Sequence, residues 1–225
     1  KAFFKESIRP TKAEWWIYAA APIAALLPAL LIFMVIPIGA PITIGGTEYQ
    51  LVGADLNIGL LYVLALSSMA VYAVALAGWS SGSKYPLLGS VRASAQMISY
   101  EAALGLSLAA VLLSSGTLST AGIVQGQDSF VDWNVISTGI VPFVIFLIAA
   151  TAELNRSPFD LVEAEQELVG GYHTEYSGIR FALFFLAEYA NMVLISVLTA
   201  VFFLGGWASP FEGIQFLERF HDVPA

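Results

Sequence analysis

Residues 153–180 hold six carboxylates, Glu153, Asp160, Glu163, Glu165, Glu167 and Glu175, against two cations, Arg156 and Arg180. Carboxylates packed this densely repel one another, so they bind and release protons as a group. An apolar run long enough to cross a bilayer flanks the stretch on each side. The spacing predicts a short amphipathic helix inside it. Ser157 suits the N-cap, Pro158 the first helical position and Asp160 the acidic end of a capping box, with Gly170 and Gly171 as the stop. At about 100° per residue, Asp160, Glu163 and Glu167 share one face, while Leu161, Ala164 and Leu168 share the next. Glu165 falls inside that apolar arc, where desolvation and neighbouring like charges favour its neutral form. The chemistry on offer is proton exchange; the plainer alternative is a solvated charged loop.

Two further acids sit within apolar runs. Glu101 lies deep in one and Glu188 in another, and neither has a cation close by in sequence. A charged acid at mid-bilayer costs roughly 2.5–3.5 kcal/mol on insertion scales, so each must be protonated, hydrated or paired across helices. Ser90, Ser94, Glu101 and Gly105 follow a helical spacing that makes one face small and polar, and Glu188, Asn191 and Thr199 do the same on the later run. Such faces turn into a bundle. A neutral Glu in an interhelical hydrogen bond would satisfy this pattern; a proton or ion relay uses it better, since several acids converge on one acidic loop. Arg156, three residues from Glu153 and four from Asp160, is within helical reach of both. His173 reads as a structural surface histidine.

These acids must be held by membrane helices. The 225 residues are 58% hydrophobic and only 12% charged, against roughly 25% charged in soluble domains. The apolar runs are continuous, which predicts an all-α, polytopic transmembrane bundle and excludes the alternating pattern of a barrel. Five spans are predicted, at about 15–37, 58–79, 91–114, 135–152 and 181–205, with the acidic loop at 153–180 and the whole of 1–225 as one transmembrane domain. No internal repeat stands out. A net charge of −8 argues against a nucleic-acid partner. There is no Cys and there are only two His, 173 and 221, so the chain offers no thiolate or metal-ligand set, and it contains no glycine-rich nucleotide loop. No residue stands out as catalytic, and any redox cofactor belongs on another chain.

The cations set an orientation. Lys1, Lys5, Arg9, Lys12, Lys84, Arg92, Arg156 and Arg180 fall on one side of five alternating spans, and only Arg219 on the other. By the positive-inside rule the N-terminal segment, a short loop holding Lys84 and the acidic loop face the cytoplasm or matrix. Trp15, Trp16, Trp79, Trp133 and Trp207 sit at predicted span ends, as an interfacial belt requires.

The stretch AELNRSPFDLVEAEQELVGGYHTEYSGIRFALFFLAEYANM, together with GWSSGSKYPLLGSVRASAQMISYE and the opening KAFFKE, resembles the H-subunit family of NADH-quinone oxidoreductase, the membrane subunit 1 of respiratory complex I. The resemblance covers essentially the whole chain. Members have eight spans, so it implies that the first and the last two are missing from this sequence. It further implies an integral subunit of an energy-transducing membrane, bacterial plasma membrane or inner mitochondrial membrane, at the junction of a soluble redox arm and the membrane arm. It implies quinone, either ubiquinone or menaquinone, as substrate, with flavin and iron–sulfur clusters on partner subunits. The partners implied are the soluble quinone-site subunits and neighbouring membrane subunits. By motif, Glu153, Arg156, Asp160, Glu163, Glu165 and Glu167 would border the quinone chamber, and Glu101 and Glu188 would belong to an intramembrane proton path. A related subunit of an energy-converting hydrogenase or other dehydrogenase, an ion-coupled transporter, and a purely structural anchor for a soluble arm are the other readings.

Overall fold

A computed structural model describes residues 4–6, 8–160 and 171–208. Four helices are long and apolar enough to cross a membrane: α1 (Trp15–Phe33), α2 (Gly59–Ser80), α3 (Lys84–Ser115) and α7 (Gly178–Phe203), with mean hydropathies of 2.0, 2.1, 1.6 and 1.9 over their most apolar windows. Between α1 and α2 lies a hairpin of β1 (Gly39–Ile44) and β2 (Thr47–Leu51), an addition to the all-α expectation. Its two-residue turn, Gly45–Gly46, has positive φ at both positions, the geometry that glycine supplies without steric cost. Short helices α4 (Thr120–Gln125) and α5 (Asn134–Ser137) follow α3, and α6 (Ile140–Glu153) precedes the acidic stretch.

The helices form a ring in which α1 packs between α7 and α2, α2 against α3, and α3 against α6, while α6 and α7 touch only slightly. Small residues make the close approaches. A Cβ on Gly78 of α2 would overlap the Ser90 side chain of α3, and one on Gly89 would lie 2.9 Å from the Gly171 backbone. Without a hydrophobic force between helices in lipid, such van der Waals contact holds the bundle. Two apolar clusters fill it. One joins Ile32, Val63, Leu108, Phe146, Leu198 and Phe202; the other joins Tyr18, Ala73, Ala77, Ala93, Tyr176 and Phe184.

Two expectations about the spans change. The run 135–152 is not one helix: α5 ends at Ser137, Gly139 takes φ 86, and α6 has only 14 residues. At 1.5 Å per residue that is about 21 Å, short of the roughly 30 Å hydrocarbon core. The third helix starts earlier than expected, so Lys84 opens α3 rather than sitting in a loop, and its 32 residues reach about 48 Å.

Both ends are tied by polar contacts. At one end the Glu14 N–H donates to the Ser80 carbonyl (3.1 Å), the Ile8 N–H to Ser177 Oγ (2.9 Å), and the Tyr18 hydroxyl to the Glu175 carbonyl (2.7 Å). The Tyr18 and Tyr176 rings stack at 4.3 Å, and Arg180 covers Trp15 and Tyr18. The N-terminal segment, the α2–α3 turn and residues 171–180 therefore share one end, as the cation count requires. At the other end Gln127, only 1% exposed, is a hub. Its Nε2 donates to the Ile123 and Val201 carbonyls, and its Oε1 accepts from the N–H groups of Asn134 and Gly205.

Candidate functional site

Glu153 is the last residue of α6, where the helix can no longer offer its carbonyls an internal partner. It lines two adjoining cavities of about 60 Å³ each, which share Ala70, Met97, Glu153, Leu154 and Asn191. The first is walled mainly by the cluster around Leu108 and Phe146, the second by the cluster around Tyr172 and Phe184. Glu153 thus stands at the seam between the two halves of the core. A space of this size holds a few waters, and polar groups to bind them are present in Glu153, Asn191, Ser67 and Glu188.

Glu188 lines the second cavity and forms an ion pair with Arg156, Nη2 to Oε1 at 2.9 Å. Arg156 also lies over the Tyr189 ring at 5.5 Å. The sequence pointed Arg156 toward Glu153 and Asp160 by local spacing; the structure gives it a partner on α7 instead. The reason is local: residues 157–159 form a turn, and the Phe159 N–H donates to the Arg156 carbonyl at 2.7 Å. A continuous helix that would stack 153, 156 and 160 is absent there, while the helix that Ser157, Pro158 and Asp160 were expected to open lies mostly outside the described residues.

Glu101, half-buried on α3, accepts from the Ser68 hydroxyl of α2 and is near enough to Glu153 for the two charges to act on one another. Glu101 and Glu188 both face neighbouring helices as expected, with Asn191 one turn along from Glu188, whereas Gly105, counted on the Glu101 face, meets no neighbour within 4 Å. Asp160 is exposed. Glu163, Glu165 and Glu167, with Leu161 and Leu168, lie outside the described residues, as does His221. His173 packs its ring against Tyr172 and Phe181, at 5.2 and 5.6 Å. The structure brings together Glu101, Glu153, Glu188 and Arg156. Sequence reasoning missed Ser68 and Gln96, and missed Asn155 within the acidic stretch; the signal was available, since each is a polar side chain in or beside an apolar helix.

Four apolar helices of membrane-spanning length, with Glu153 and Glu188 on water-sized cavities between them, define a polytopic α-helical membrane protein. The chain belongs to the NADH dehydrogenase family, whose model matches residues 1–221. It is 52% identical over 210 residues to the NADH-quinone oxidoreductase H subunit 1 of Geobacter metallireducens and 53% identical over 210 residues to the H subunit 2 of Geobacter sulfurreducens, with 93% of this chain and 63% of each relative aligned. It is 52% identical over 211 residues to the NADH-quinone oxidoreductase H subunit of Frankia casuarinae, covering 93% of this chain and 46% of that one. The chain thus spans about half to two thirds of the length of these relatives.

Proposed function

We propose that this chain is the H-type membrane subunit of a proton-translocating NADH:quinone oxidoreductase. In this reading it forms part of the quinone chamber wall and passes the charge change of quinone reduction into the membrane. The observation that carries the reading is Glu153 and Glu188 on two joined cavities, with Arg156 paired to Glu188 and Glu101 held by Ser68 beside them. Cavities of about 60 Å³ accept water and not a quinone ring. The described residues therefore supply wall and proton track, while residues 161–170 and the soluble quinone-site subunits complete the chamber. Glu163, Glu165, Glu167 and Asp160 border that chamber, and Glu101 and Glu188 extend the track into the bilayer. Flavin and iron–sulfur clusters sit on partner subunits, in keeping with a chain that has no Cys. The cation-rich end faces the cytoplasm or matrix of an energy-transducing membrane.

Affinity purification from native membranes tests this. The tagged chain is expected to bring down a large assembly that oxidises NADH with quinone, and to show no activity once stripped of its partners. A chain that purifies alone and transports ions in vesicles would replace this reading with a transporter, and an assembly that oxidises hydrogen instead of NADH would replace it with the hydrogenase reading.

A further inference from the structure

One amide on α3 gathers three acceptors from a single short turn. Gln96 Nε2 lies 2.9 Å from the Ala152 carbonyl, 3.0 Å from Asn155 Oδ1 and 3.1 Å from the Phe159 carbonyl. A primary amide has two N–H hydrogens, so one of them is shared. The turn needs such a partner. Helix α6 has just ended, and its last carbonyls are held by the turn's own N–H groups, Leu154 to Ala150, Arg156 to Thr151 and Asn155 to Ala152 at 3.1–3.3 Å, so Gln96 adds the tie to a second helix. Asn155 is 5% exposed and has φ 50, the one positive value among the described non-glycine residues. Asparagine tolerates that left-handed backbone better than other side-chain-bearing residues, and here its side chain is aimed at Gln96. Tyr100, one helical turn beyond Gln96, sets its ring 5.3 Å from that of Phe159. The turn is thus pinned to α3 at a polar point and an aromatic one.

What the pinned turn carries is the site. Glu153 starts it and faces both cavities; Arg156, the residue after Asn155, reaches Glu188 at 2.9 Å. A misplacement of about 1 Å at such a group can cost a hundredfold in rate. We infer that Gln96 is a positioning residue: its amide latches residues 152–159 onto α3, and the latch aims Arg156 at Glu188 and keeps Glu153 on the cavities. The effect on turnover rests on the proposed role in quinone reduction, whereas the latch itself does not.

Gln96→Met is the test variant, since it keeps length and apolar bulk but has no N–H to give. Asn155→Gly is its companion; it keeps the left-handed backbone and removes one acceptor of three. Both are made in the full chain within the assembled membrane complex. These 225 residues contain no Cys, so Ala152→Cys adds one thiol to them at a position that is fully buried, and its labelling is read from the peptide that carries residue 152 after the subunits are separated. Labelling there with a small maleimide is expected to be slow in the parent and several-fold faster with Gln96→Met. NADH-to-quinone turnover is expected to fall about tenfold or more with Gln96→Met and less with Asn155→Gly, at unchanged electron transfer to an artificial acceptor in the soluble arm. The double variant Gln96→Met with Arg156→Ala is expected to be no slower than Arg156→Ala alone, because both act through the same pair. Unchanged labelling with additive losses would show that Gln96 merely packs, and faster labelling with full turnover would show a latch that positions nothing; either overturns the proposal. If Arg156→Ala itself keeps full quinone turnover, the functional reading of the site fails, and the labelling still reports on the latch.

Discussion

Arg156 and Glu188 are each incompletely buried, with side chains 39% and 18% exposed, so their pairing is partly screened. Removing the cation alone takes away the 2.9 Å contact to the Glu188 carboxylate within the bundle. Arg156→Ala is therefore expected to cost about 1–2 kcal/mol of stability, and Arg156→Ala combined with Glu188→Gln to recover most of that, because a neutral amide needs no counter-charge. Thermal midpoints of the purified assembly measure both; equal loss in the single and double variants would contradict the pairing. Outside the spans, burial pushes the Tyr176 hydroxyl up to about 12 from the usual 10.0, and neighbouring Tyr18 adds to this against the opposing pull of Ser80 and Arg180. The folded value lies above the unfolded one, so the stabilisation is complete below pH 10.0 and is lost as pH rises through about 12. The difference in tyrosinate absorbance between parent and Tyr176→Phe should show an ionisation well above that of exposed tyrosines; an ordinary one near pH 10 would contradict the burial. At this scale the sequence was informative where spacing carried the message. Glu101 and Glu188 stood out because acids are costly in apolar runs. The partner of Arg156 did not, because nothing local connects it to a residue 32 positions away across a turn.

Among the elements, α2 and α3 depend on contact without side-chain bulk. Gly78 abuts Ser90 and the Pro86 carbonyl, whereas a Cβ on Gly105 of α3 would meet nothing within 4 Å. The same substitution should then have opposite effects. Gly78→Ala is expected to destabilise by about 1–3 kcal/mol through overpacking, and Gly105→Ala to stabilise by up to about 1 kcal/mol through helix propensity. Thermal midpoints of the two variants in one detergent compare them, and a shift of the same sign and size in both would contradict the α2–α3 packing. Three of the five expected spans were legible within a few residues and the α3 span was found with its start seven residues late, since sustained apolar runs set existence better than ends. The fourth was misread because the apolar run continues through residues 135–152 while the backbone turns at Gly139. Hydropathy registers composition and not the positive φ that breaks the helix. The helix expected from Ser157 runs mostly through residues outside the described ones; where its start is described, residues 157–159 turn.

For the whole molecule, the gathering of residues 8–14, 80–84 and 171–180 at one end makes the topology testable. Single thiols at the exposed Lys84 and Thr174 are expected to be labelled from the cytoplasmic or matrix side, and those at the exposed Gly46 and Gln125 from the other. Gln127 would be a poor choice for the second pair, since it is buried in the polar hub. Labelling of both pairs from the opposite sides would reverse the orientation. The larger proposal is that this chain couples quinone chemistry to proton movement through acids at the seam of its core. Glu153 is the group on which that claim turns, because both cavities meet at it. The measurement is proton translocation beside NADH-to-quinone turnover, made on the same membrane vesicles carrying the assembled complex with Glu153→Gln. The account predicts that pumping and quinone turnover fall together, by about tenfold or more, while electron transfer to an artificial acceptor in the soluble arm is kept. Full pumping and full turnover in that variant would contradict it.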